Sequence, residues 1–130
     1  WTLLDLDERT VDQVDEMINS AHASRFHWGI VGSPENFARG EWQISRVYCV
    51  LGRTEPALYH GHRSLDICNL HKIGGFDRAF AYETLARAYL IAGNKEESDK
   101  YIKLGRDCGE RIRDEETKKI FFSDLDSIKL

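Results

Sequence analysis

The feature that most constrains the fold is a near-repeat of eight residues. The segment "SRVYCVLG" at residues 45–52 returns as "ARAYLIAG" at residues 86–93, an interval of 41 positions. Three residue types recur at matched positions: Arg46 and Arg87, Tyr48 and Tyr89, Gly52 and Gly93. The other five pairs are small or apolar on both sides. Repetition at a fixed interval is typical of stacked units that cannot bury their apolar faces alone, so one structural unit is expected twice.

The spacing of apolar residues predicts an all-α chain. Apolar residues recur every three or four positions, and alternation at period two is nowhere sustained. Both prolines, in Ser33-Pro34 and Thr54-Glu55-Pro56, stand where a helix would begin. Asp77 is the predicted N-cap of a fourth helix, and short connections predict antiparallel neighbours. Six helices are predicted, over about residues 8–30, 34–51, 55–71, 77–92, 95–112 and 114–128.

A length of 130 residues predicts one domain, residues 1–130, and composition and charge disfavour several other classes of protein. A hydrophobic fraction of 42% is too high for a disordered chain. The net charge of −4 opposes sequence-independent binding to nucleic acid, which needs a basic face. No apolar run approaches the roughly 20 residues that cross a bilayer, and no signal-peptide pattern is visible. Cys49, Cys68 and Cys108 lie in helical patterns, so we expect reduced core thiols in a cytoplasmic protein. The sequence has no CxxC pair to suggest zinc or redox chemistry, and no cofactor is predicted.

Residues of the two units resemble the tetratricopeptide repeat family. In the second unit, the first helix carries the family's large apolar, leucine, small, tyrosine and glycine series: Tyr82, Leu85, Ala86, Tyr89 and Gly93. The second helix of that unit carries its small, large apolar, small series: Ser98, Ile102 and Gly105. The first unit keeps a shorter series: Ile44, Ser45, Tyr48, Gly52 and Ala57. The chain is also similar to short bacterial helical proteins, and that similarity implies no activity.

The resemblance covers about residues 38–110, with some departures from the family pattern. Glu41 stands where an aromatic residue is expected, Gly61 where a large apolar one is, and Glu110 where the closing proline is. The interval is 41 residues rather than about 34. The resemblance implies a short right-handed array of helical hairpins in a single domain. Its parts would be an N-terminal helix at about 8–30, repeats at about 34–71 and 77–112, and a C-terminal capping helix at about 114–128.

The resemblance also implies a ligand site on the concave face formed by the first helix of each pair. Carried onto this chain, its positions are Arg39, Trp42, Arg46 and Cys49 in the first unit and Phe80, Glu83, Arg87 and Leu90 in the second. Within each set the members step by three or four residues, which places them on one helix face. Two arginines one repeat apart beside an indole form a fork for a carboxylate or phosphate. The alternative is that Glu83 pairs with Arg87 inside one helix and Arg46 is solvated.

These observations predict a non-catalytic module that binds a protein or peptide, or a small anionic ligand. Arg46 and Arg87 would supply charge, and Trp42 and Phe80 would supply apolar contact. Arg39 and Glu83 complete the predicted ligand-binding set. No nucleophile elbow or phosphate-binding loop is present, so no catalytic residue is predicted.

The five histidines raise the alternative of an enzyme that handles a metal or small molecule. They are His22, His27, His60, His62 and His71. Neither close pair shares a helix face, because five and two residues correspond to about 140° and 200° of rotation. A site between helices would use His22, His60 and Glu83. We expect His22, in the unusual run "HASRFHW", to face inward with Glu41 or Glu83 as its partner.

The last predicted helix carries apolar residues on more than one face. Phe121, Leu125 and Ile128 form one stripe, while Ile120 and Phe122 point elsewhere. This pattern predicts either a second contact surface, as in a homodimer, or a helix that caps the end of the array. A structural homo-oligomer is therefore a further alternative function.

Overall fold

Six α-helices form the part of the chain that the computed structural model describes, which is residues 10–128 without the side chains of residues 27–31. The helices are α1 Val11–Val31, α2 Pro34–Val50, α3 Thr54–His71, α4 Gly75–Ile91, α5 Lys95–Gly109 and α6 Glu115–Asp126. No strand occurs in these residues. The prediction of an all-α chain with six helices is confirmed. The predicted helix start at about residue 8 and the side chain of His27 lie outside the described residues.

Side-chain caps explain where α2, α5 and α6 begin. Ser33 accepts a hydrogen bond from the Asn36 N–H at the start of α2, where proline takes a first-turn position. Asn94 caps α5 and Asp114 caps α6 by the same kind of bond. The prediction that Asp77 caps α4 is wrong. The helix begins two residues earlier, and Asp77 is buried in its first turn, where a tertiary ion pair takes its carboxylate.

The repeated octapeptide ends in the same turn both times. Gly52 and Gly93 have φ values of 72° and 83°, in the left-handed region that glycine adopts without a Cβ clash. The next backbone N–H then donates to the carbonyl of the repeated tyrosine, as Arg53 to Tyr48 and Asn94 to Tyr89, both at 2.9 Å. The repeat thus sets the connections from α2 to α3 and from α4 to α5.

Two helix pairs, α2 with α3 and α4 with α5, make the most extensive contacts and pack together through α3 and α4. Helix α1 packs on α2 at one end, and α6 packs on α4 and α5. The predicted stripe of α6, Phe121, Leu125 and Ile128, is buried in the main core cluster. A Cβ on Gly109 would lie 2.7 Å from Phe121 Cδ2, so glycine permits this close approach of α6. No helix within residues 10–128 has both the length and the apolar character needed to cross a membrane.

Candidate functional site

Two arginines from different helices converge on one buried glutamate. Glu83 of α4 has a side chain only 1% exposed. Arg87, one turn later, donates from Nε to Glu83 Oε1 at 2.8 Å, and Arg46 Nη1 of α2 lies 3.5 Å from the same oxygen. Arg46 Nη1 also lies 3.7 Å from Oδ2 of Asp124 on α6. We call these four residues the arginine–carboxylate cluster.

The cluster also holds the C-terminal end of α6. Arg87 Nη2 donates to the carbonyl oxygen of Asp124 at 2.8 Å and to Ser127 Oγ at 2.9 Å. The expected alternative, a Glu83–Arg87 pair inside one helix, is therefore present. The expectation that Arg46 is then solvated is wrong, because its side chain is only 21% exposed and contacts two carboxylates. Nothing in the sequence pointed to Asp124 or Ser127, since α6 lies beyond the repeat.

Two atoms of the cluster have no hydrogen-bond partner. Arg46 Nε and Glu83 Oε2 are both buried, and within the described part of the chain they are the buried side-chain atoms left unpaired. One is a donor and the other an acceptor. Buried polar atoms without partners are rare in folded proteins and call for an explanation. These two unpaired atoms of the arginine–carboxylate cluster therefore need an explanation.

The other predicted ligand residues form a separate group, in which the aromatic rings are buried. The rings of Trp42 and Phe80 stack with centroids 4.8 Å apart and are 6% and 4% exposed. Phe121 of α6 meets Phe80 edge-on at 5.1 Å. The two rings therefore lie in the core, under α6, and are not open to a surface ligand. Their role in this structure is to fix the packing of α2 on α4.

Arg39 is held by the buried carboxylate of Asp77. Its Nε and Nη2 donate to the two carboxylate oxygens at 3.1 and 3.2 Å, and Trp42 Nε1 donates to Asp77 Oδ1 at 3.4 Å. The guanidinium lies 4.9 Å from the ring centroid of Phe76. The six predicted residues thus divide into two sets. One is held by core packing and by Asp77 (Arg39, Trp42, Phe80), and the other belongs to the arginine–carboxylate cluster (Arg46, Glu83, Arg87).

His22 of α1 and His60 of α3 lie next to each other, and Glu83 takes no part in this contact. Their ring centroids lie 5.4 Å apart. His60 Nδ1 is 2.7 Å from Glu41 Oε2, whose other oxygen accepts from Arg25 Nε at 3.0 Å. The prediction that His22 faces inward is wrong, because the residue is exposed and its Nε2 contacts Tyr48 OH at 3.0 Å.

The pKa values of Glu41 and His22 are both lowered in this region. Burial raises the pKa of Glu41, but hydrogen bonds from His60 and Arg25 outweigh it, so the net pKa lies below its usual value. Partial burial, followed by the neighbouring His60, lowers the pKa of His22. Among the described residues no group of three or more His, Cys, Asp or Glu side chains is placed to hold a metal ion. The alternative site of His22, His60 and Glu83 therefore does not form.

The repeated tyrosines both stand between a histidine and a ring. Tyr48 stacks on His60 with centroids 5.9 Å apart, and Tyr89 stacks on Tyr101 at 5.7 Å. The Tyr89 hydroxyl lies 2.8 Å from His62 Nε2, just as Tyr48 contacts His22. His60 and Tyr101 are themselves 41 positions apart. The interval was therefore visible in the sequence at these positions, although the stacking was not predicted.

One open groove of about 490 Å³ lies at the starts of α4 and α6. Phe76, Arg111, Arg113 and Thr117 are among the residues that line it, and none of them belongs to the arginine–carboxylate cluster. No protein-family model, curated protein or solved structure matches the chain. The likeness to tetratricopeptide repeats therefore stays a prediction.

Proposed function

We propose that this chain is a non-catalytic binding module that recognises a peptide segment, or a small anionic ligand, on the face shared by α2, α4 and α6. The observation that carries the proposal is the placement of Arg46 and Arg87. From two helices, one repeat interval apart, they direct N–H donors at a carboxylate and a backbone carbonyl of a third helical segment. A peptide offers these same oxygen groups, and arginine is well suited to bind them.

The charge balance favours a peptide segment over a free anion. Two guanidinium groups and two carboxylates leave the arginine–carboxylate cluster formally neutral, so a bare anion meets no net attraction. The Arg46–Asp124 contact is long, at 3.7 Å, and Asp124 is 33% exposed. An ion pair at this distance, with a carboxylate that reaches solvent, contributes little to stability. An acidic side chain of a peptide would therefore replace the Asp124 carboxylate at small cost.

The buried aromatic group supports the proposal by making the site rigid. The Trp42–Phe80 stack fixes α2 against α4, and the Arg39–Asp77 pair joins the same two helices. A binding site held on packed helices keeps its donors in place better than one on a loop. Three free, buried cysteines are in keeping with a reducing compartment, so we propose that the module acts in the cytoplasm.

An array of short linear peptides, rich in acidic and amide side chains, tests the proposal. Peptides bound by the full chain would be measured in solution by fluorescence polarisation. Arg46→Gln combined with Arg87→Gln is expected to weaken binding by about tenfold or more, the loss of one or two charge-assisted hydrogen bonds. Circular dichroism would establish that the variant is folded, and each single substitution would be measured beside it.

Arg106→Gln is the matched control. Arg106 also pairs with a carboxylate of α6, Asp126, but both side chains are at least half exposed and lie outside the cluster. Its removal is expected to leave peptide affinity unchanged. Peptides that bind the double variant as tightly as the original chain would contradict the proposal, and so would an array in which nothing binds. Native mass spectrometry of gently purified protein would reveal a small anionic ligand carried through purification.

A further inference from the structure

We infer that the arginine–carboxylate cluster recognises a carboxamide group, supplied by a peptide backbone or by an asparagine or glutamine side chain. The inference rests on the proposed function, because it specifies what the same face binds. Its basis is the pair of buried, unpaired atoms, Arg46 Nε and Glu83 Oε2. They belong to one ion pair, in which Arg46 Nη1 lies 3.5 Å from Glu83 Oε1.

The two atoms need opposite hydrogen-bonding groups from a partner. A carboxylate oxygen only accepts hydrogen bonds, and a guanidinium nitrogen only donates them. A group that completes both must therefore donate to Glu83 and accept from Arg46. Leaving either atom unpaired in the interior is costly, so a ligand that pairs both gains affinity from each.

Charged groups meet only half of this demand. A carboxylate or phosphate can take the place of Asp124 at Arg46 Nη1, but it supplies no donor and leaves Glu83 Oε2 unpaired. An ammonium group supplies no acceptor and would lie against Arg46 and Arg87. A carboxamide carries an N–H and a C=O, and it brings no net charge into a site whose charges already balance.

Two sources provide this chemistry in a suitable form. The side-chain amide of asparagine or glutamine presents its N–H and C=O on one planar group. In an extended peptide, the N–H and C=O of a single residue point to the same side and pair together, as they do in a hydrogen-bonded pair of an antiparallel sheet. Asp124 is the more exposed of the cluster's two carboxylates, at 33% against 1% for Glu83, so the amide approaches from that side.

Substitution within the bound peptides tests the inference. In each peptide selected on the array, every backbone amide is replaced in turn by an ester, which lacks the N–H. Each asparagine is replaced by leucine and each glutamine by methionine. One such change is expected to weaken binding to the original chain by about tenfold or more, as for a hydrogen bond to a charged group.

Two variants of the chain identify the atoms involved. In Glu83→Gln the acceptor is altered, and in Arg46→Lys the positive charge stays but the Nε donor is lost. In both, the sensitive substitution is expected to change affinity by less than about threefold. Arg87→Lys is the control: Arg87 Nε and Nη2 already bond within the protein, so the full tenfold effect should persist. Because each result is a ratio of two affinities in one variant, altered stability does not imitate it.

The outcomes separate this inference from the proposed function. Sensitivity to an ester identifies a backbone amide, and sensitivity to leucine or methionine identifies a side-chain amide. Peptides that bind through Arg46 and Arg87 but tolerate every substitution overturn the inference and leave the proposed function standing. An array without binders overturns both. A crystal structure with one water joining Arg46 Nε to Glu83 Oε2, both with and without peptide, also overturns the inference.

Discussion

Ser98 donates a hydrogen bond of 2.7 Å to the carbonyl oxygen of Ala86, joining α5 to α4. The first helix pair contains the same bond with the roles exchanged, because Ser45 of α2 donates to the carbonyl of Ala57 on α3 at 2.7 Å. Ser45 and Ala86 are 41 positions apart, and so are Ala57 and Ser98. All four residues are fully buried. Each helix pair thus keeps one serine-to-carbonyl bond at the same contact, whichever helix supplies the serine.

The two serines are expected to differ in their contribution to stability. Ser98→Ala removes one buried hydrogen bond and should lower the free energy of unfolding by about 1 kcal/mol. Ser45→Ala should cost about 2 kcal/mol, because Thr84 Oγ1 also donates to Ser45 Oγ at 2.8 Å and would lose its acceptor. Urea unfolding followed by circular dichroism measures both values. The exposed Ser123→Ala serves as the control, and a larger cost for Ser98→Ala than for Ser45→Ala would refute this account.

Substitutions of the two members of the Arg39–Asp77 ion pair are expected to lower stability by different amounts. Asp77 is 7% exposed at the side chain and Arg39 is 44% exposed. Arg39→Ala leaves a buried carboxylate without its cation and should lower the free energy of unfolding by about 2 kcal/mol, less than for a fully buried pair. Asp77→Asn keeps a polar partner for Arg39 and Trp42 and should cost about 1 kcal/mol. Thermal and urea unfolding of the two variants would measure this order, which the reverse ranking would contradict.

Acidification is expected to weaken the fold in two steps. His22 has a lowered pKa in the folded chain, so the unfolded chain binds its proton more readily and stability falls as the pH drops below about 6.5. The pKa of Glu41 is lowered too, and its contribution is lost as the pH falls below about 4.5. Unfolding free energies measured from about pH 7 to about pH 3 test both windows. His22→Gln should remove the loss of unfolding free energy just below about pH 6.5 and leave the loss below about pH 4.5 unchanged. A pH profile identical to that of the exposed control His71→Gln would be evidence against a role for His22.

The three cysteines are expected to be unreactive in the folded chain. All are free and buried, and burial raises the pKa of both Cys49 and Cys68 to about 11. Because the thiolate is the reactive form, a disulfide reagent at about pH 8 should modify none of them until denaturant is added, and then all three. Stability should also fall as the pH rises from about 9 towards about 11, since the unfolded chain loses these protons first. Rapid modification of one thiol in the native chain would show that its site is open.

Local chemistry made the helices predictable. Ser33 and Pro34 act within one turn, and Gly52 and Gly93 need only their own backbone angles, so the sequence placed these ends well. Asp77 is the exception, because its carboxylate is equally suited to cap a helix or to pair with Arg39. The choice between these depends on where α2 lies, and no local pattern contains that information.

The six helices, the repeated turn and the sets of residues that share a helix face follow from the order of the amino acids. Which of those faces remain exposed depends on how the helices pack against one another. As predicted, Trp42 shares a helix face with Arg46, and Phe80 shares one with Arg87. Phe121 of α6 packs on Phe80 and covers the aromatic side chains, whereas the two arginines remain partly exposed. The tertiary structure likewise decided that Arg46 meets Asp124, and that Arg46 Nε and Glu83 Oε2 remain unpaired. The physical reason is that periodicity sets direction around one helix axis, whereas burial and charge pairing depend on how distant helices pack.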